Sequence, residues 1–388
     1  MKQRKRFKGP LLGLALLAVF GAVRVLNAQI GVYRQVATIT VPGNLSAGFD
    51  ISWVDAVSGR YYLANRSVPA NITVIDTKHL KYLTSIPVFA AGNGVVAINN
   101  PHSDLDNDPE TAGELWVGEN LSWVEVIDLK TRVRVPGGLI SVGGVGRADE
   151  LAYDPLDHIL LVANDREYVC TGTPPVCSGI PFVTFINTET RTVLGAIDYP
   201  QVVFGSDPLT ANHGLEQPVW NSKTGMFYLT LPGTVDNPLG EVDEIDPAGM
   251  FINRVFPATG GATGTCGPAG LVLVPRQRLV TSCGDVIRIA DGAVLTTIGG
   301  VGGDEIWYNP GEERVYFGGF QSIRVPIVNA NTFNLMATLL IGHIAPPAPS
   351  QTTHSVAADS ENNLIFVPVS NVGVKVYTDR RRSIDENP

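Results

Sequence analysis

After its first thirty residues the chain has no apolar run long enough to cross a bilayer as a helix, which takes about 20 residues. It has no basic excess either: 28 Lys and Arg stand against 37 Asp and Glu. That balance argues against nucleic acid and anionic membrane as partners, because both select cationic surfaces. No long window repeats its apolar residues at helical spacing. No Gly-x-Ser-x-Gly elbow occurs, and no Ser-His-Asp order stands out, so the usual nucleophilic hydrolases lack their signature. Cysteine is scarce, with four residues in 388.

What the chain does have begins at its start. Lys2, Arg4, Lys5, Arg6 and Lys8 precede an apolar stretch from Leu11 to Val23, and Leu26-Asn27-Ala28 follows. This is the layout of a secretory signal peptide over residues 1–28, cut near Ala28. A transmembrane anchor is the competing reading, but the stretch falls short of the ~20 residues a spanning helix needs. No Cys follows it, so no lipid anchor is indicated. Removing residues 1–28 takes away six positive charges and leaves the mature chain near −15. These features place the protein outside the cytoplasm: secreted, periplasmic or on the cell surface. An even number of cysteines there reads as disulfides. Cys170 and Cys177 flank one short turn, and Cys266 and Cys283 bracket two short apolar runs. The expected bridges are 170–177 and 266–283, with free buried thiols as the alternative.

The rest of the chain repeats itself. Each copy carries an alternating run, an Asp or Asn turn, a β-branched or aromatic run, a polar loop and an Ile-Asp-like pair. The copies start at Asp50, Gly94, Asp149, Glu216, Ala269, Asp304 and His354. The spacing is about 50 residues, the length of one four-stranded propeller blade. Strand-like runs punctuated by Gly, Pro, Asn and Asp supply the local chemistry. An Asp or Asn ending the third strand can cap the next turn with its own side chain. The last copy lacks a fourth strand, while Tyr33–Val41 is a strand without a copy. We therefore expect an all-β, seven-bladed β-propeller over residues 29–379, closed by that N-terminal strand, with 380–388 as a frayed basic tail. Closure would leave no naked sheet edge.

Tyr-Leu-Ala-Asn65 and Leu-Val-Ala-Asn164, with Ile-Thr-Val-Ile-Asp76 and Val-Glu-Val-Ile-Asp128, resemble the YVTN-type propeller repeat of bacterial exported and surface-layer proteins. The resemblance covers most of the mature chain and weakens in the fourth and fifth copies. It implies a fold and is nearly silent on function. A second, local similarity spans about fifteen residues. Glu216-Gln-Pro-Val-Trp-Asn is similar to the Glu-Gly-Pro-x-Trp opening of the SMP-30/gluconolactonase propellers, in which the Glu is a metal ligand. Here Gln217 replaces the Gly, and that family's other ligands have no ordered match.

The entry positions of the inner strands should meet at the channel mouth. Asp50, Asp149, Glu216 and Asp304 are acidic, Glu150 and Glu305 follow two of them, and His354 is the seventh entry residue. Converging carboxylates raise one another's pKa. Two arrangements relieve this: Ca²⁺ or another divalent cation bound by oxygen ligands, or carboxylates held by water and backbone N–H groups. His213, three residues before Glu216, and His354 are the candidates for acid–base chemistry or metal ligation beside them. A separate candidate is Asp104, Asp106 and Asp108, whose alternate spacing half matches a Ca²⁺ loop. Asn44, Asn65, Asn71 and Asn120 begin N-glycosylation sequons, which matter in a eukaryotic host.

The function expected from the sequence is a monomeric binding module. It would take a protein, a glycan or a small molecule at one propeller face shaped by loops 99–114, 165–182 and 200–215. The alternative is a divalent-metal hydrolase of the lactonase type. A surface-layer module is a third reading.

Overall fold

The computed structural model describes residues 33–98, 113–165, 169–171, 176–202, 214–344 and 349–379. The N-terminal segment 1–28, the tail 380–388, His213, and Asp104, Asp106 and Asp108 lie outside these residues. The described chain forms seven antiparallel four-stranded sheets, arranged as the blades of a seven-bladed β-propeller. Six sheets are consecutive in sequence. The seventh joins Ala357–Asp359, Leu364–Val369 and Gly373–Thr378 to the N-terminal strand Arg34–Ile39. Gln35 lies opposite Tyr377 and Ile39 opposite Val374.

The turns follow from side-chain chemistry. Asp55, Asp154, Asn221, Asn309 and Asp359 end inner strands, and each accepts a hydrogen bond from the amide two residues on. Asp76, Asp128, Asn187, Asp246 and Asn329 cap the turn after the third strand, each accepting from the amide two or three residues on. These are Asx turns, in which the carboxyl or amide oxygen replaces a backbone acceptor. The YVTN-like residues also have a physical role. Asn65 donates to Thr73 Oγ1 at 3.1 Å, and Asn164 donates to Thr184 Oγ1 at 3.0 Å. Each pair ties the second strand to the third inside a blade. Asn65 is fully buried, which removes its sequon from the surface. Strand register puts Glu119 and Glu125 at these two places in blade 2, and Leu231 and Asp243 in blade 4.

Neighbouring blades are held together by apolar clusters, each drawing residues from two adjacent sheets. At the seam between blades 7 and 1, Ile39 and Val41 pack with Phe49, Tyr61 and Phe366, and Tyr61 stacks on Phe366 at 5.2 Å. Deleting residues 34–39 would strip that seam and bare the edge of Gly373–Thr378. Naked edges pair with other chains. We expect size-exclusion chromatography to show oligomers or aggregate; an unchanged monomer with unchanged melting would contradict the closure.

Cys266 and Cys283 form a disulfide, with 5.8 Å between their Cα atoms. Cys170 and Cys177 are backbone partners across a two-stranded ribbon, Val169–Thr171 and Val176–Ser178. Their side chains lie outside the description.

Candidate functional site in the central channel

Strand register aligns the seven inner strands residue by residue. Ser52, Val95, Leu151, Pro218, Leu271 and Ile306 pair with equivalent positions on their second strands. Two residues earlier stand Asp50, Asn93, Asp149, Glu216, Ala269 and Asp304, with His354 in blade 7. Six of the seven sequence-derived entry positions occupy this register position. The exception is blade 2, where Asn93 replaces Gly94. Gly94 sits one residue further in, and a Cβ there would lie 1.8 Å from the Asp149 carbonyl oxygen. It serves close blade packing, and no other residue fits. In blades 1 to 3 a bulge falls at the entry residue, between Phe49 and Ser52, Gly92 and Val95, and Ala148 and Leu151. Bulges re-aim side chains, which suits a channel rim.

The mouth is a knot of ion pairs. Arg66 donates to Asp50 and, at 2.7 Å, to Asn93 Oδ1. Arg147 donates to Asp149 and, at 2.9 Å, to Asp165 Oδ2, and lies 3.5 Å from Asp50 Oδ2. His354 Nε2 stands 3.4 Å from Asp50 Oδ1, and its ring packs on Phe49 at 4.8 Å. Burial pushes the Asp50 carboxyl up, but Arg66, His354 and Arg147 outweigh it and hold the group below the usual carboxylate range. The balance reverses at Asp149. Burial, with Asp50 and Asp165 beside it, wins over Arg147 and raises it to about 7. Burial lowers the His354 pKa, yet the Asp50 carboxylate brings it above its ordinary value. Burial, then Asp165, Asp304 and Asp149, raises Glu216 well above the ordinary range despite Arg147.

One residue deeper, the ring reads Ile51, Gly94, Glu150, Gln217, Gly270, Glu305 and Ser355. Gln217 crosses between blades: its Oε1 accepts from Leu271 N at 2.8 Å and Ile306 N at 3.3 Å, and its Nε2 donates to Ile306 O. Ser355 Oγ accepts the Ser52 amide at 3.0 Å and donates to Glu305. The Ser52 hydroxyl, 2.7 Å from Ser355 Oγ, is left to donate to it. Glu150 has no side-chain hydrogen bond among the described residues, though it is 93% buried. Burial, followed by Glu305, Asp149, Glu216 and Asp304, holds its carboxyl far above the ordinary range. Glu305 is raised too, by burial first and by Asp50 and Asp304, against the Ser355 hydrogen bond.

From this ring a cavity of about 430 Å³ runs toward the far ends of the inner strands. Glu150, Gln217 and Glu305 line its polar end, and Trp53, Tyr153, Trp220, Trp307 and Tyr308 line its walls among aliphatic side chains. Trp53 meets Trp307 edge-on, with centroids 5.2 Å apart. Sequence reasoning named the carboxylates but missed Arg66, Arg147 and these aromatics. Period-two alternation along the inner strand was the available signal: it sets Trp53 and Trp307 on the face of Ile51 and Glu305.

The channel brings Asp50, Asp149, Glu216, Asp304 and His354 to one rim. The cation expected there meets a poor donor set, because guanidinium groups already occupy Asp50 and Asp149. Among the described residues no group of three or more His, Cys, Asp or Glu side chains is arranged to hold a metal ion. The three loops expected to shape one face divide. The described strand ends that flank loops 165–182 and 200–215, namely Asp165, Phe182, Asp198 and Pro218, lie at the mouth end of their sheets, whereas Ile98 and Glu114, which flank loop 99–114, lie at the opposite end.

Fold and channel together define a seven-bladed propeller with a charged rim above an aromatic cavity. No protein-family model and no curated protein matches the chain, so the similarities to YVTN and gluconolactonase propellers rest on the residues quoted above.

Proposed function

We propose that this protein is a ligand-binding propeller of an oxidising, extracytoplasmic compartment, and that its ligand is a small molecule held in the channel cavity. The observation that carries this reading is the cavity itself. Its volume of about 430 Å³ lies in the range of small-molecule sites, roughly 300–1,000 Å³, and its mostly apolar wall with a few convergent polar groups is their usual composition. The Cys266–Cys283 disulfide supports the compartment. No observation favours the lactonase reading in the same way, since Glu216 is crowded by carboxyls and raised in pKa.

The test is a fragment screen by ligand-observed NMR, followed by intrinsic fluorescence. Three of the five tryptophans line the cavity. Hits should perturb that fluorescence and weaken at least tenfold in Trp53→Leu or Trp307→Leu. They should persist in Trp123→Leu, which alters an outer-blade residue packed on Phe89. Hits indifferent to Trp53 and Trp307 would refute the assignment.

A further inference from the structure

We propose that the cavity's ligand is an organic monocation, an amine or quaternary ammonium compound, with Glu150 as its counter-ion and Trp53 and Trp307 among its walls. This rests on the cavity being the binding site. Three independent features point to the charge. The first is the aromatic lining, which attracts cations through the ring quadrupole and does so most strongly when water is excluded. The second is Glu150, a buried carboxyl at the cavity's polar end with no partner among the described residues. A buried charged group needs a partner or must neutralise itself, and a neutral acid without a hydrogen bond is itself unfavourable. The third is the charge balance of the channel. Asp149, Glu216, Asp304 and Glu305 surround Glu150, and the nearby cations Arg66 and Arg147 are consumed at the rim by Asp50, Asp149 and Asp165. An entering cation supplies the missing positive charge, whereas an apolar neutral ligand leaves Glu150 as it was.

The linkage has a definite sign. A cation favours ionised Glu150, so binding releases a proton to solvent and affinity rises with pH. The groups that set this response are Glu305, Asp149, Glu216 and Asp304 around Glu150, with Arg147 opposing them through Asp149 and Glu216.

The experiment is calorimetric titration of the intact protein with choline and with its neutral isostere 3,3-dimethylbutan-1-ol, in phosphate and in HEPES buffer. Benzyltrimethylammonium serves as a larger cation. Choline or benzyltrimethylammonium should bind at least tenfold tighter than the alcohol, with a buffer-dependent heat reporting proton release. Glu150→Gln keeps the side chain's shape and removes one crowded carboxyl, so it should fold, as circular dichroism will show. It should erase the preference for the cation and the buffer dependence together. Equal binding of cation and alcohol, unchanged in Glu150→Gln, would overturn the inference while leaving the cavity as a neutral-ligand site. Failure of both cations to bind at tens of millimolar would also overturn it, and the fragment screen then decides the cavity's role separately.

Discussion

Arg147→Met is expected to lower stability by about 3–5 kcal/mol, the usual consequence of removing one partner of a buried ion pair. The arginine side chain is 15% exposed and reaches three carboxylates, from blade 1 and from two strands of blade 3. Methionine fills much of its volume but leaves Asp149 and Asp165, at 3% and 1% exposure, without their cation. The burden falls on the loser of the two opposing charges, so neutralising it should recover stability. Arg147→Met combined with Asp149→Asn and Asp165→Asn should regain more than half the loss in urea unfolding. Arg66→Met should cost less, because its side chain is twice as exposed. A loss below about 1 kcal/mol for Arg147→Met would mean that the rim is solvated and contributes as surface pairs do.

Asp243→Leu is expected to stabilise the protein, increasingly so as pH rises. Asp243 is fully buried in the apolar seam between blades 3 and 4, and neither carboxyl oxygen has a hydrogen-bond partner. Its environment includes Leu229, Leu231 and Ile245. Burial, and secondarily Glu241, raises its pKa from 3.8 to about 8. The folded state therefore binds a proton that the unfolded chain releases above its ordinary pKa. Stability is lost as pH rises from about 4 to about 8, with a limiting slope near 1.4 kcal/mol per pH unit. Leucine has no such slope. The gain over wild type should be small at pH 4 and reach a few kcal/mol by pH 7. Glu119, raised to about 9 by burial and by Glu125, contributes a slope of its own, but equally in both proteins. A wild-type-minus-variant difference that is flat between pH 4 and 8 would contradict the assignment. The double replacement Leu231→Asn with Asp243→Thr, which restores the pair seen in blades 1 and 3, should show the same pH independence.

The propeller was legible because its repeat is written in local chemistry. Asp or Asn at fixed offsets makes the turns, β-branched residues make the strands, and an unmatched N-terminal strand implies a partner. Blade 2 slipped by one residue because its inner strand opens Gly-Asn-Gly, and small residues carry no alternation to fix register. The rim was only half legible. Carboxylates at entry positions share a repeat index and so announce that they converge. Arg66 sits on a connection after a second strand, and Arg147 sits two residues ahead of its entry position, so neither shares that index. Their long side chains bring charge to the rim from outside the repeat. Without them the carboxylates look like a metal site. The aromatic cavity was hidden for a different reason. Trp53, Trp220 and Trp307 read as ordinary core residues, and only closure of the ring shows that some inner-strand faces meet space instead of another blade.

The most direct test of a charged rim set over a cation-binding cavity is a crystal structure grown with benzyltrimethylammonium. The trimethylammonium group should lie in the cavity beside the Glu150 carboxyl, against the Trp53 and Trp307 pair, with Arg147 still bound to Asp149 and Asp165. Ligand density at the rim with Arg147 displaced, or a cavity filled by rearranged side chains, would contradict the account.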